Sequence, residues 1–106
     1  QVEEGAGRFP QVSGLKFAWT KSKPAGERIV SAQVMENGAW TPIDPEKVYG
    51  VVTNNYMRGG GDGYKIFASA GMNAYDYGPG LEEVVAAYLG KANGYAPYTD
   101  GRITEE

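Results

Sequence analysis

Over Leu15-Lys16-Phe17-Ala18-Trp19, large apolar residues alternate with small or charged ones, which predicts a strand with one buried face. Lys21 to Glu27 carries Pro24 and Gly26 and reads as a turn. Arg28 to Met35 predicts a second strand with Val30, Ala32 and Val34 on one face. Asn37-Gly38 is a type I′ turn signal that folds this strand back onto Ala39-Trp40-Thr41-Pro42-Ile43, and Pro42 places the return at a sheet edge. Asp44-Pro45-Glu46 has the form of an N-cap with proline at the first helical position, a short turn of helix. The apolar run Val48 to Thr53 predicts a strand, and Tyr64 to Ser69 a short helix. Leu81, Val84, Val85, Tyr88 and Leu89 recur at helical spacing, so a helix facing a sheet is expected there, ending by Gly90 or Gly94. Pro97 to Ile103 predicts a final turn with a short strand, and the polar stretch from Gln1 to Gly7 a loose lead-in. The parts read as an α+β fold: a small mixed, mostly antiparallel sheet with helices packed against it.

Length and composition narrow the function. The 106 residues make one small domain with a modest core. No stretch approaches the roughly 18 apolar residues of a membrane span. A net charge of −3, with Lys and Arg scattered, gives no nucleic-acid or anionic-membrane surface. With no cysteine and no histidine, thiolate chemistry, disulfides and the commonest general base and metal ligand are all absent. No catalytic or metal-ligating residue is assigned, and a binding domain fits better than a self-contained catalytic centre. The chain begins at Gln1 without initiator Met or targeting segment, so a processed or excised piece of a longer protein is expected.

The candidate chemistry sits where Val48 to Thr53 empties into Asn54-Asn55-Tyr56-Met57-Arg58-Gly59-Gly60-Gly61-Asp62-Gly63-Tyr64. Glycine lets backbone approach a ligand closely. Tyr56 offers a flat face for a base or sugar, and an ionised Asp62 can accept hydrogen bonds from two vicinal hydroxyls. The plain alternative is a long turn in which Asp62 caps local N–H groups and Tyr56 packs on the sheet. Consecutive glycines are entropically expensive to order, which argues against a turn with no other role. Phe9, pinned by Pro10, either presents a ring opposite Tyr56 to sandwich a heteroaromatic base or anchors the lead-in to the core. Arg8 and Arg58 either reach a phosphate or are solvated surface charges. The glycine run lacks the Gly-Lys-Ser/Thr ending of a P-loop and the alternating acids of an EF-hand.

Gly7-Arg8-Phe9-Pro10-Gln11-Val12-Ser13-Gly14, Ile43-Asp44-Pro45-Glu46-Lys47-Val48-Tyr49, Val51-Val52-Thr53-Asn54-Asn55-Tyr56 and Gly59-Gly60-Gly61-Asp62-Gly63-Tyr64 together resemble the C-terminal domain of the 5′-nucleotidase family. Asn73-Ala74-Tyr75-Asp76-Tyr77-Gly78-Pro79 and Tyr98-Thr99-Asp100-Gly101-Arg102-Ile103 are similar to its bacterial branch. The resemblance runs in order over nearly the whole chain.

It implies a substrate-binding fragment, residues 1–106 being the second half of that domain, of an enzyme that hydrolyses nucleoside monophosphates. Phe9 and Tyr56 match the family's two stacking aromatics and Asp62 its ribose-binding aspartate, with Asn55, Gly60 and Gly61 completing the substrate-binding set. The catalysis and the two divalent metals, zinc or manganese, are implied to belong to an N-terminal metallophosphatase domain that is missing here. The resemblance also implies a periplasmic or extracellular parent. Tyr56 departs from the phenylalanine common at its position, and the family domain's earlier half, with its phosphate-holding basic residues, has no counterpart in this chain. A parent that is a 2′,3′-cyclic nucleotide phosphodiesterase/3′-nucleotidase or a nucleotide-sugar hydrolase fits the same motifs, and so does a non-catalytic binding or assembly module. Open sheet edges further predict homodimers or strand exchange of the fragment.

Overall fold

Asn37 and Gly38 take φ values of 50° and 79°, the two left-handed residues that a type I′ turn requires. They connect β2 (Ile29–Glu36) to β3 (Ala39–Pro42) in the antiparallel register Glu36↔Ala39, Met35↔Trp40, Val34↔Thr41. On the other side β2 pairs antiparallel with β1 (Leu15–Trp19), Phe17 opposite Ala32, with an irregularity between Ala18 and Trp19. β4 (Ile103–Glu105) runs parallel to β1, Phe17 opposite Ile103. The four-stranded order is β3-β2-β1-β4, so Pro42 lies on an edge strand, where its missing N–H breaks no interior ladder. The fold is α+β with a mixed sheet, and each of the expected strands in this region is present.

The computed structural model describes Val2 and residues 7–106; the lead-in expected over residues 1–7 falls, apart from Val2 and Gly7, outside them. The chain divides into two compact units, one of Phe9–Val48 with Tyr98–Glu106, the other of Gln1–Arg8 with Tyr49–Pro97. The first is the sheet unit. Its core is β1, where Phe17 and Ala18 are buried, with Thr20 buried just past its end. Adjacent strand residues point to opposite faces, so burial of both Phe17 and Ala18 marks a central strand covered on both sides.

The second unit is helical: α1 (Asn55–Arg58), a 3₁₀ turn (Gly61–Gly63), α2 (Lys65–Ala70) and α3 (Leu81–Ala92). α3 starts from Gly80, whose carbonyl accepts from Glu83 and Val84 N–H at 3.1 Å. Glu82 and Glu83 occupy its first turn and Lys91 its last, each with the sign that the helix dipole favours. Asn93 (φ 47°) and Gly94 (φ 96°) end it in left-handed geometry. Its apolar stripe, Leu81, Val84, Val85, Tyr88 and Leu89, is exposed.

Three expectations differ from the structure, the first being that the apolar stripe of α3, expected to face a sheet, is exposed. Val48 to Thr53 forms no strand, and Val52 is 99% exposed. An apolar run records a tendency to be buried, whereas a strand also needs a neighbour to pair with. Asp44-Pro45-Glu46 makes a turn rather than helix, with Asp44 Oδ1 accepting from Glu46 N–H at 2.9 Å and the Asp44 carbonyl from Lys47 N–H at 3.1 Å. The aspartate caps, but too few carbonyl partners follow to continue a helix.

Candidate functional site

Asn54 opens the glycine-rich segment as an N-cap, its Oδ1 accepting from Met57 N–H at 2.8 Å. That bond starts α1 and sets Asn55 as its first residue and Tyr56 as its second. The Thr53 hydroxyl also reaches the Met57 sulfur at 3.5 Å. Gly59 and Gly60 close the turn by donating to the carbonyls of Asn55 and Met57 at 3.1 and 2.9 Å.

Each glycine that follows answers a different constraint. Gly60 adopts φ 97°, a region that costs an L-residue strain. Gly61 has no such φ; its constraint is space. A β-carbon there would lie 2.1 Å from two carbons of the Tyr56 ring, well inside van der Waals contact. The ring is therefore seated directly on Gly61 backbone, while the residue stays 56% exposed. Gly63 meets both constraints, with φ 83° and with Arg8 Nη1 at 3.2 Å from the position of an added β-carbon.

Asp62 lies between these glycines at φ 56°, ψ 24° and is exposed. Aspartate is among the few side chains that visit this left-handed well, still at some cost. Such backbone persists where the surrounding structure dictates it, commonly at ligand sites. The surroundings here are the Tyr64 N–H bond to the Gly61 carbonyl at 3.1 Å and the start of α2 immediately after.

Tyr64 fastens the far side of the turn. Its hydroxyl donates to the Arg8 carbonyl at 2.7 Å, and its ring stacks on Phe67 at 5.6 Å and 9°. Burial, with the Asp62 charge adding, pushes the Tyr64 phenol above its ordinary pKa, and the Arg8 charge opposes the shift. Arg8 is half-buried, and its Nε is buried without a hydrogen-bond partner. Arg58 Nε lies 3.6 Å from Asp76 Oδ1.

Phe9 belongs to the sheet unit and is placed by side chains. Its ring meets Trp19 edge-on at 5.8 Å and 65° and Phe17 at 6.4 Å and 43°. The half-buried ring anchors on the sheet, as one of its two readings expects, and also lines a cleft of about 190 Å³ with Val12, Tyr98, Asp100 and Arg102. Arg102 braces this cleft. It donates through Nη1 to the Val12 carbonyl at 2.6 Å and through Nε to Asp100 Oδ1 at 2.8 Å, and lies over the Tyr98 ring at 5.8 Å. The hydrogen bond from Arg102 holds the Asp100 carboxyl below its usual range.

The structure thus brings Asn55, Tyr56, Gly60, Gly61 and Asp62 together in one turn, and sets Phe9 on the sheet unit. Sequence reasoning missed the roles of Tyr64 as a clamp and Arg102 as a brace. A tyrosine directly after the last glycine, and an arginine two residues after an aspartate, were the available signals. No group of three or more Asp, Glu, His or Cys able to hold a metal occurs among the described residues. No helix among them is long and apolar enough to cross a membrane.

The chain is thus a two-unit α+β protein with an aromatic seated on a glycine turn beside an exposed carboxylate. The chain belongs to the 5′-nucleotidase C-terminal domain family, whose model matches residues 1–69. It is 36% identical over 106 residues to the trifunctional nucleotide phosphoesterase protein YfkN of Bacillus subtilis, covering 98% of this chain and 7% of that protein. It is also 36% identical to a 5′-nucleotidase-related protein of Glossina morsitans morsitans, covering 96% of this chain and 19% of the relative. The crystal structure of the 5′-nucleotidase precursor from Thermus thermophilus matches with a TM-score of 0.89 and 37% identity, over 99% of this chain and 21% of that one. The chain therefore spans no more than about a fifth of any of these three.

Proposed function

We propose that this chain is the nucleoside-recognition part of a larger phosphohydrolase that releases phosphate from nucleoside monophosphates. In this reading the base stacks on Tyr56, Asp62 accepts hydrogen bonds from the ribose hydroxyls, and Asn55, Gly60 and Gly61 shape that side of the site; Phe9 keeps the second stacking role that the family resemblance implies. The observation that carries it is the seating of an exposed Tyr56 ring on Gly61, with the Asp62 carboxylate one residue further along the same turn. A ring so held is ordered before the ligand arrives, which lowers the entropic cost of stacking.

The carboxylates described here do not fit a metal centre. The two divalent metals of the proposed parent would be held, and the phosphoryl chemistry done, by a metallophosphatase domain outside this chain, and the fragment alone would be inactive. Export of the parent to the periplasm or cell surface goes with the same reading. The open β3 and β4 edges and the exposed stripe of α3 support self-association of the isolated chain. Sedimentation should show a concentration-dependent monomer–dimer equilibrium, and a strictly monomeric chain would count against it.

The function itself is tested on the parent protein with its metals bound. Base–aromatic stacking contributes about 1–3 kcal/mol, so Tyr56→Ala should raise KM for AMP about 5- to 150-fold with kcat little changed. An unchanged KM in both Tyr56→Ala and Phe9→Ala would sink the stacking assignment.

A further inference from the structure

Asp62 can satisfy only half of a vicinal diol. An ionised carboxylate accepts hydrogen bonds and donates none, whereas each ribose hydroxyl both donates and accepts. Once the hydroxyls point their protons at Asp62, their lone pairs are left to be met by another donor. Among the described donors beside the turn, Arg8 is the charged one that lies against the residue following Asp62. Arg8 is held there by the Tyr64 hydroxyl on its carbonyl at 2.7 Å. Its Nη1 lies 3.2 Å from where a Gly63 β-carbon would be, so the guanidinium rests on the residue that follows Asp62. Its Nε is buried without a hydrogen-bond partner among the described residues, as is that of Arg58, but Arg58 has a carboxylate, Asp76 Oδ1, at 3.6 Å. A buried arginine nitrogen without a partner is a group with unmet donor capacity, and such exceptions call for an explanation. The two charges are near enough to the Tyr64 hydroxyl for both to act on it.

We propose that Arg8 is the donor half of the diol recognition, its guanidinium donating to the ribose oxygens whose protons Asp62 accepts. This rests on the nucleoside reading above and adds a specificity-determining residue to it. The paired donor and acceptor would select ribonucleotides over substrates lacking both hydroxyls, and Gly63 is glycine in part to leave room for the guanidinium.

The test uses the full-length, metal-loaded parent protein and compares KM for AMP with KM for 2′,3′-dideoxy-AMP. The ratio of the two measures the diol's contribution, and binding through phosphate or base cancels from it. A charge-assisted hydrogen bond is worth about ten-fold or more in affinity, so Arg8→Ala should shrink the ratio about ten-fold, and Arg8→Gln, which keeps the stem and one donor, should shrink it less. Should Arg8→Ala fail to fold by circular dichroism, Arg8→Gln decides, and an unchanged ratio in it overturns the proposal. An equal rise in KM for both substrates also overturns it, because that is the signature of a phosphate contact or a structural role. Asp62→Ala separates the two levels. If it collapses the ratio while Arg8 variants do not, Arg8 alone is wrongly assigned; if it too leaves the ratio intact, the nucleoside reading fails with it.

Discussion

In the sheet unit the Phe9 ring is placed by other side chains, Trp19 at 5.8 Å and Phe17 at 6.4 Å, on a core that buries Phe17, Ala18 and Thr20. In the helical unit the Tyr56 ring is placed by backbone: it lies where Gly61 has no β-carbon, and no residue of that unit is buried among those described. Placement by packing spreads the work over several contacts, each replaceable by something of similar volume. Placement by a glycine concentrates it at one atom's absence, so a single added methyl group should undo it. The two regions should therefore fail differently, the first by losing stability and the second by losing ligand.

The largest effect should come from Phe17→Ala. Removing a buried phenylalanine typically costs about 3–5 kcal/mol, and here it also takes away one of the rings against which Phe9 rests. Urea unfolding should shift to a lower midpoint by that amount, or lose its cooperative transition. A shift below about 1 kcal/mol would mean that the sheet unit does not hold itself together in the way its burial indicates.

Gly61→Ala addresses the other mode. A β-carbon 2.1 Å from the ring cannot be accommodated, so Tyr56 must swing away while the sheet is untouched. KM for a nucleotide should rise as much as in Tyr56→Ala, about 5- to 150-fold for a loss of about 1–3 kcal/mol of stacking, with the far-ultraviolet spectrum unchanged. A Gly61→Ala enzyme with the original KM would break the contrast between the two regions.

The same contrast explains what could be read from the sequence. The sheet was legible because its signals are local: the alternation at Leu15–Trp19, the Asn37-Gly38 turn and the proline at position 42 each act within a few residues. α3 was legible by its period. The glycine run was recognisable as special, but the reason for each glycine was not. Gly60 is fixed by a dihedral, Gly61 by a ring five positions back, and Gly63 by a guanidinium from residue 8; the last two are facts of three-dimensional space. Val48 to Thr53 was misread as a strand because hydrophobicity was taken for pairing. Phe9 left two readings open, and its packing on Trp19 and Phe17 bears out the anchoring one, which position in the sequence could not reveal.

A smaller effect isolates the helix that carries Tyr56. Asn54→Ala removes the cap bond to Met57 N–H, which typically costs about 1 kcal/mol. A four-residue helix has little else to hold it. KM should rise by no more than about five-fold, and amide exchange at Met57 and Arg58 should quicken, with the sheet amides unaffected. Exchange that quickens equally in β1 and β2 would show the two units to be energetically one.

The smallest effect is a titration confined to the sheet unit. The Arg102 hydrogen bond lowers the Asp100 carboxyl from its ordinary value of 3.8, so the folded form binds its proton less readily than the unfolded chain does. A depressed carboxylate contributes stability above its ordinary pKa, and that contribution is lost as pH falls through the lowered value. The window is therefore below about pH 4. Asp100 is exposed and solvent screens the pair, so little global destabilisation is expected. The local consequence is larger than the global one, because Arg102 also holds the Val12 carbonyl three residues after Phe9. Protonating Asp100 frees the guanidinium from one of its fixed partners and loosens the brace beside the ring. Ring-proton shifts of Phe9 should move reversibly below pH 4 in the wild type and move less over that range in Asp100→Asn. Tyr56 rests on Gly61 backbone and not on the Arg102 brace, so its ring-proton shifts should follow the same course in both proteins; a Tyr56 shift that vanished in Asp100→Asn would show that the two rings are not placed independently.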